Sequence, residues 1–362
     1  MKIEPRVAFI IDSLLVLGGG EKVLTTALEL YPCADIFTLV HNPSVFVNTL
    51  IAPRTVKTSW LNALPLAHTY YRWFLPVMPA VIERFDLYTY DYIVCFSYAV
   101  AHGVVNHNGA RHVSYTYTPM RYAWTDLNLN GTHTRKNLIL NGFMHAFRKW
   151  DREAASRVHA FASISQTISK RIADAYQRAA PVIYPPVEVE RFTPVHPREA
   201  YYITVTRLVP HKRVDLIVEA FSKLNLPLIV VGDGPELTRL QRMATSNIQL
   251  LGYTPDEKLV ELLGRARAFV SAAAEDFGIA IVEAQAAGCP VIAYGKGGAL
   301  ETVIPNVTGV HFAEQTAEAL IQAVQEFERT HPYFQVDELV QNARRYRKDR
   351  FLSEFNKFVI GG

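Results

Sequence analysis

Long apolar runs are missing from this 362-residue chain. None approaches the ~18 residues that a membrane-crossing helix requires. The first residues, Met1-Lys2-Ile3-Glu4-Pro5-Arg6, lead into a strand-like run and lack the apolar core and small-residue cleavage site of a secretory leader. Cysteine is equally scarce. Cys33, Cys95 and Cys289 are scattered, form no C-x-x-C pair and sit in apolar runs, where a thiol behaves as a small hydrophobe. A reducing, cytoplasmic setting is expected, and the N-x-[ST] matches at Asn130 and Asn306 are read as chance. Neither sign of charge is in excess: a net +3 is too mild to argue for nucleic acid and is compatible with an anionic small molecule or a membrane surface. Gly18-Gly19-Gly20-Glu21 is not G-x-G-x-x-G, and no G-x-x-x-x-G-K-[ST] loop exists, which disfavours a dehydrogenase or a P-loop ATPase. No D-x-D and no His/Asp/Glu cluster at ligand spacing occurs, so neither a metal nor another cofactor is expected.

What is present is enough apolar material for two cores. Hydrophobic residues at 49% and charged residues at 20% mark a folded chain, and the length calls for two domains of about 150 to 200 residues. Val7 to Ile11 reads as a strand, Gly18 to Glu21 as a glycine loop, and Lys22 to Leu30 as a helix. Strand-like runs at Asp35 to Val40, Tyr92 to Ser97 and Val158 to Ile164 alternate with helical patterns, as βαβ units require. Tyr184-Pro185-Pro186-Val187 breaks regular structure, since proline removes a donor and biases its predecessor toward extended backbone. The expected organisation is a first domain over 1–186, a linker over 187–198, a second domain over 199–335 and a terminal helix over 336–362. The alternation restarts with strands at Tyr201 to Thr206, Leu228 to Val231, Ile248 to Leu251, Ala268 to Ser271 and Pro290 to Tyr294. Helices are expected at Val214 to Leu224, Asp256 to Arg265 and Ile279 to Ala287. The fold class is α/β, with two doubly wound domains.

Open parallel sheets bind ligands beyond the carboxyl ends of their strands. Two segments of the second domain fall there. Arg207 and Lys212, in Thr206-Arg207-Leu208-Val209-Pro210-His211-Lys212-Arg213, place a forked guanidinium and a point ammonium after a strand, where a diphosphate could take both. A solvated basic turn accounts for them equally well. Glu275 and Glu283 bracket Asp276-Phe277-Gly278-Ile279. One lies in the loop after a strand and the other about one turn inside the next helix, whose free N–H groups and positive end attract phosphate or sugar oxygens. Helix capping alone is the plain alternative.

These stretches, together with Glu283-Ala284-Gln285-Ala286-Ala287-Gly288-Cys289-Pro290-Val291-Ile292-Ala293 and Gly297-Gly298-Ala299-Leu300-Glu301-Thr302-Val303, resemble the retaining glycosyltransferases of family four. Their wording is similar to a branch rich in mannosyltransferases of bacterial surface polysaccharides. The resemblance covers almost the whole chain. It implies the GT-B fold, two Rossmann-like domains facing across a cleft with a C-terminal helix crossing back to the first.

By resemblance, Arg207 and Lys212 hold the donor diphosphate, Glu283 binds the ribose, and Glu275 meets the transferred sugar. Backbone from Phe277 through Gly278 to Ile279 lines phosphates and sugar, and Gly19 and Gly20 of the first domain approach the diphosphate. Tyr117 stands where relatives carry a histidine facing the donor sugar. It can donate a hydrogen bond, but a phenol titrating near 10 is a poor proton shuttle at neutral pH. Ser97 and Arg121 match acceptor-side positions, and Glu301 reads as a helix cap. The implied reaction moves a hexose, mannose from GDP-mannose, to a saccharide or lipid-linked saccharide. The alternatives are a UDP-sugar-dependent transferase, an epimerase or hydrolase on the same fold, or a catalytically weak nucleotide-sugar-binding subunit, the last because of Tyr117. Aromatics and basic residues gather at Trp60, Tyr70, Tyr71, Arg72, Trp73 and Phe74, and again at Arg135, Lys136, Phe143, Phe147, Arg148, Lys149 and Trp150. Such a surface suits anionic headgroups at the inner face of the plasma membrane, and burial in the first domain suits it as well.

Overall fold

Two parallel six-stranded sheets organise the chain, one in each of two units: Met1–Tyr184 with Leu352–Gly362, and Pro185–Phe351. The computed structural model describes residues 5–124, 138–195, 197–330 and 334–361. Arg135, Lys136 and Asn130 lie outside them.

In the first unit the strands are β1 (Val7–Ile11), β2 (Asp35–Thr38), β3 (Val56–Thr58), β4 (Tyr92–Ser97), β5 (Arg111–Thr116) and β6 (Ala160–Ser163), ordered β3-β2-β1-β4-β5-β6. The central strands are covered on both faces and so read as unbroken apolar runs, all five residues of β1 being buried. One face packs Ala8, Ile10, Ile93 and Cys95 on Leu61, Met78, Ile82 and Phe147. On the other, Phe96 contacts Phe9 and Phe355 at ring-centroid distances of 5.2 and 5.7 Å. The chain's last helical turns are therefore part of this unit's core. Tyr31 also donates to Asn356 at 2.8 Å, and Arg111 Nε donates to the Val359 carbonyl at 2.9 Å.

The second unit repeats the order. Its strands are β7 (Tyr202–Val205), β8 (Leu228–Val231), β9 (Ile248–Gly252), β10 (Ala268–Ser271), β11 (Val291–Tyr294) and β12 (Gly309–Phe312), arranged β12-β11-β10-β7-β8-β9. Helix Val214–Leu224 buries Ile217, Ala220 and Phe221 at helical spacing, and Phe221 meets Tyr202 edge to face at 5.0 Å.

Two expectations about the joins are redrawn. The stretch read as a linker over 187–198 is tied down on the second unit. Val187 and Val189 are buried, and Arg198 donates to the carbonyls of Gly264, Ala266 and Gly288. The single terminal helix is two helices, Val336–Arg344 and Lys348–Ile360. Between them the Tyr346 carbonyl accepts the Val187 N–H at 2.8 Å and Arg347 bridges Val187 as a short parallel pair, which takes backbone groups away from a continuous helical ladder.

Candidate active site

Within the second unit, β7 and β10 are neighbours at the point where strand order reverses, the place beyond the carboxyl ends where open parallel sheets take ligands. The loop after β7 carries Arg207 and, in the short turn Pro210–Lys212, Lys212. Arg213 follows with φ +51, a left-handed conformation that costs a side-chain-bearing residue about 1 kcal/mol and turns the chain into the next helix. The loop after β10 carries Glu275. The structure brings these two loops together: Lys212 Nζ donates to Glu275 Oε1 at 2.8 Å and Oε2 at 2.6 Å. The paired side chains are only 20% and 16% exposed, so water screens them far less than an ordinary surface pair. The Arg207 side chain is exposed and, among the described residues, has no ion-pair or hydrogen-bond partner.

Glu275 is held from behind. Its carbonyl accepts the Gly298 N–H at 2.7 Å, and a Cβ on Gly297, whose φ is +71, would lie 2.1 Å from that carbonyl oxygen. Only glycine permits this approach. Phe277 turns its ring inward onto Tyr346 at 5.2 Å, and its backbone packs so closely on Gly298 that a Cβ there would lie 2.4 Å from the Phe277 carbonyl oxygen. Gly278, at φ +93, then opens helix Ile279–Ala286, whose first N–H groups have no intrahelical partner. Glu283 lies half-buried one turn further along. Glu301 stands in the short helix Ala299–Thr302, where its carbonyl accepts the Tyr346 hydroxyl at 2.8 Å.

A buried amide network fixes this assembly. Gln285 Nε2 donates to the Thr302 carbonyl at 2.8 Å, and Asn342 Nδ2 donates to Gln285 Oε1 at 2.6 Å and to the same carbonyl at 2.8 Å. Sequence reasoning missed these two amides. The signal was Gln285 itself, a lone amide in the apolar stretch Ile279–Gly288, since a buried polar group must find a partner.

The first unit has the matching switch point between β1 and β4. Beyond β1, Asp12 is 3% exposed, and its two oxygens accept four successive N–H groups from the loop after β4: Tyr98 and Ala99 on Oδ2 at 2.7 and 3.1 Å, Val100 and Ala101 on Oδ1 at 2.5 and 2.8 Å. Burial raises its pKa above the ordinary 3.8, and the N–H donors, which a bare carboxylate satisfies best, oppose that rise. Next to it Ser13 and Tyr98 share a 2.6 Å hydroxyl contact.

Gly19 and Gly20 begin helix Gly19–Ala27, entered through a Glu21 side chain that accepts the Gly18 N–H at 2.9 Å. Tyr117 lies on this loop. Its hydroxyl donates to the Gly20 carbonyl at 2.6 Å and its ring sits where a Gly20 Cβ would approach within 3.1 Å. Burial pushes its phenol well above the ordinary 10. Tyr117 thus holds the glycine loop with a proton it does not give up. Ser97 is 1% exposed and bonded to His102 Nδ1 at 3.0 Å, with His102 Nε2 lying 3.1 Å from the buried Asp151. This serine, histidine and aspartate are all interior and brace the strand end. Arg121 is exposed at the start of the short helix Arg121–Trp124.

The two aromatic and basic clusters separate. Trp60, Tyr70 and Trp73 are exposed, with Leu66 and Val77 beside them in sequence, whereas Phe147 is buried, and Phe143 and Trp150 pack on the first unit's core. Trp150 Nε1 donates to Glu83 at 2.9 Å. The aromatic residues of the second cluster face inward because their helix, Leu138–Ser156, turns that stripe onto Ile82 and Ala101, while Arg148 and Lys149 on the same helix are exposed. Among the described residues no helix is long and apolar enough to cross a membrane, and no group of three or more His, Cys, Asp or Glu is placed to hold a metal ion.

Residues 188–348 match the family described as Glycosyl transferases group 1. A GDP-mannose-dependent monoacylated alpha-(1-6)-phosphatidylinositol monomannoside mannosyltransferase of Corynebacterium glutamicum is 32% identical over 42% of this chain and 49% of its own. A GDP-mannose-dependent alpha-(1-6)-phosphatidylinositol monomannoside mannosyltransferase of Mycolicibacterium smegmatis is 30% identical over 44% of this chain and 50% of its own. The chain thus spans about half the length of these curated relatives. Anabaena HepE in complex with UDP and glucose superimposes with a TM-score of 0.71 at 17% identity, covering 98% of this chain and 99% of that one. The sucrose-phosphate synthase of Thermosynechococcus elongatus does so with a TM-score of 0.77 at 16% identity, covering 98% of each. At such identities these two establish the fold. The chain accordingly has the GT-B fold and carries a Glycosyl transferases group 1 domain at residues 188–348.

Proposed function

We propose that this chain is a retaining glycosyltransferase that moves mannose from GDP-mannose to a saccharide or lipid-linked saccharide without a metal ion. The observation that carries the reading is the convergence of Lys212, Glu275 and the N-terminus of helix Ile279–Ala286 at one strand-order reversal, with Arg207 exposed on the same loop as Lys212. Negative charge develops on the departing diphosphate as the glycosidic bond breaks. Preorganised cations and N–H donors that receive this charge lower the barrier without an ion. Glu283, one helical turn away, suits ribose hydroxyls, and Glu275 suits those of the sugar. Mannose and guanine are favoured by the GDP-mannose-dependent relatives.

The test is incubation of the full chain with GDP and UDP sugars and a saccharide acceptor panel, in chelator. New mannoside with release of GDP is expected. Activity that appears only on adding Mn²⁺ or Mg²⁺ would sink the metal-free reading, and turnover of UDP sugars alone would reassign the donor. One observation favours a second reading. Because the Tyr117 hydroxyl is engaged by Gly20, a chain that binds sugar nucleotides without turning them over fits the same site, and binding with no glycoside would select it.

The exposed residues Trp60, Leu66, Tyr70, Trp73 and Val77, with Arg72 among them in sequence, suit the interface of an anionic bilayer, where aromatic rings rest at headgroup depth. A place at the inner face of the plasma membrane follows for a lipid-linked acceptor. The protein is expected to float with phosphatidylglycerol vesicles and less with pure phosphatidylcholine, and Tyr70→Ala combined with Trp73→Ala should reduce flotation. A wild-type chain that stays at the bottom of the gradient with both vesicles refutes the contact.

A further inference from the structure

Lys212 has two claimants. Its ammonium bonds both oxygens of Glu275, at 2.8 and 2.6 Å, in a site where both side chains are mostly shielded from water. The same ammonium is assigned above to the donor diphosphate, and this inference rests on that assignment. An ammonium so placed cannot serve a carboxylate and a diphosphate equally at one time. Three N–H donors allow geometric sharing, but the two anions repel each other across it.

We propose that Lys212 exchanges Glu275 for the diphosphate, and that Glu275 thereby makes the site prefer a sugar-bearing nucleotide over the spent nucleoside diphosphate. When the phosphates draw Lys212 away, the Glu275 carboxylate loses its cation in a half-buried loop whose backbone is fixed by Gly297 and Gly298. A shielded carboxylate without donors is costly. Hydroxyls of the hexose can donate to it and offset that cost. GDP alone has no hydroxyl at this position, so Glu275 pulls Lys212 back and weakens the hold on GDP. The pair therefore favours donor entry and, after transfer, product departure. Arg207 has no such competitor among the described residues and should hold donor and product alike.

Calorimetric titration of the full chain with GDP, UDP and GDP-mannose tests this. Glu275→Gln keeps the shape and removes the charge. It should bind GDP or UDP on the order of tenfold more tightly than wild type, the loss of one charge-assisted contact that competes for the ammonium. The preference for GDP-mannose over GDP should narrow by a similar factor. In a Lys212→Met background the substitution should gain nothing, because Glu275 acts through Lys212. Arg207→Ala should weaken GDP and GDP-mannose to the same extent.

Nucleoside diphosphate affinities that stay the same or fall in Glu275→Gln overturn the exchange. So does a gain that persists in the Lys212→Met background, which would make Glu275 a simple repeller of phosphate. The two levels separate. If Lys212→Met weakens GDP while Glu275→Gln brings no gain, the diphosphate assignment stands and the exchange falls. If Lys212→Met binds GDP as well as wild type does, the assignment itself falls.

Discussion

Lys212→Ala is expected to lower kcat/KM for sugar transfer by about 10²- to 10³-fold, the usual effect of deleting one preorganised group that stabilises developing negative charge. The loss should fall chiefly on kcat. The ammonium meets the diphosphate most strongly when the glycosidic bond is breaking, and an interaction made mainly in the transition state appears in the rate rather than in KM. Removing the cation also leaves Glu275, 16% exposed and fixed through its carbonyl by Gly298, as a shielded carboxylate without its counter-ion. Because Glu275 acts on the diphosphate through Lys212, the double variant Lys212→Ala with Glu275→Gln should bind GDP no better than Lys212→Ala alone. Initial-rate kinetics of glycoside formation check the single variant, and an unchanged kcat/KM would take Lys212 out of the site.

Asp12→Asn should destabilise the first unit by about 3 kcal/mol, although it replaces a single oxygen with an amide nitrogen. Each carboxylate oxygen of Asp12 accepts two backbone N–H groups, so all four contacts need an acceptor on both sides. Asparagine supplies one acceptor and directs an NH₂ at the other two donors. Two buried N–H groups then lose their partners, which costs about 1 to 3 kcal/mol each where no water can replace them. The measurement is direct because all four tryptophans, Trp60, Trp73, Trp124 and Trp150, lie in the first unit. Their fluorescence during urea unfolding reports that unit alone. A midpoint unchanged from wild type would mean that the loop after β4 is held by its other contacts.

Much of the frame was legible before the structure because parallel strands buried on both faces must be apolar throughout. Val7–Ile11, Tyr92–Ser97, Leu228–Val231 and Ala268–Ser271 were read within a residue or not displaced at all. Val56–Thr58 and Gly309–Phe312 were not, since the first lies at a sheet edge with Lys57 and Thr58 exposed and the second is a four-residue strand interrupted by His311. The break between Val336–Arg344 and Lys348–Ile360 had no local marker. It contains neither proline nor glycine and is set by Val187, more than 150 positions earlier in the chain.

The site divides in the same way. Arg207, Lys212, Glu275, Gly278 and Glu283 could be named from the chain because strand ends and helix starts impose local chemistry: cations after a strand, glycine at a positive φ, an acid near a helix N-terminus. What those residues do to one another was not written locally. That Lys212 grips Glu275, 63 positions away, that the Tyr117 hydroxyl donates a hydrogen bond to the Gly20 carbonyl, and that Ser97 turns inward to His102 all depend on which loops a sheet order of 3-2-1-4-5-6 places side by side. Periodicity and turn residues fix each element through interactions a few residues long. Pairings between charges and hydroxyls are fixed only when the two switch points bring distant strand ends within hydrogen-bonding reach, and only the tertiary structure decides that.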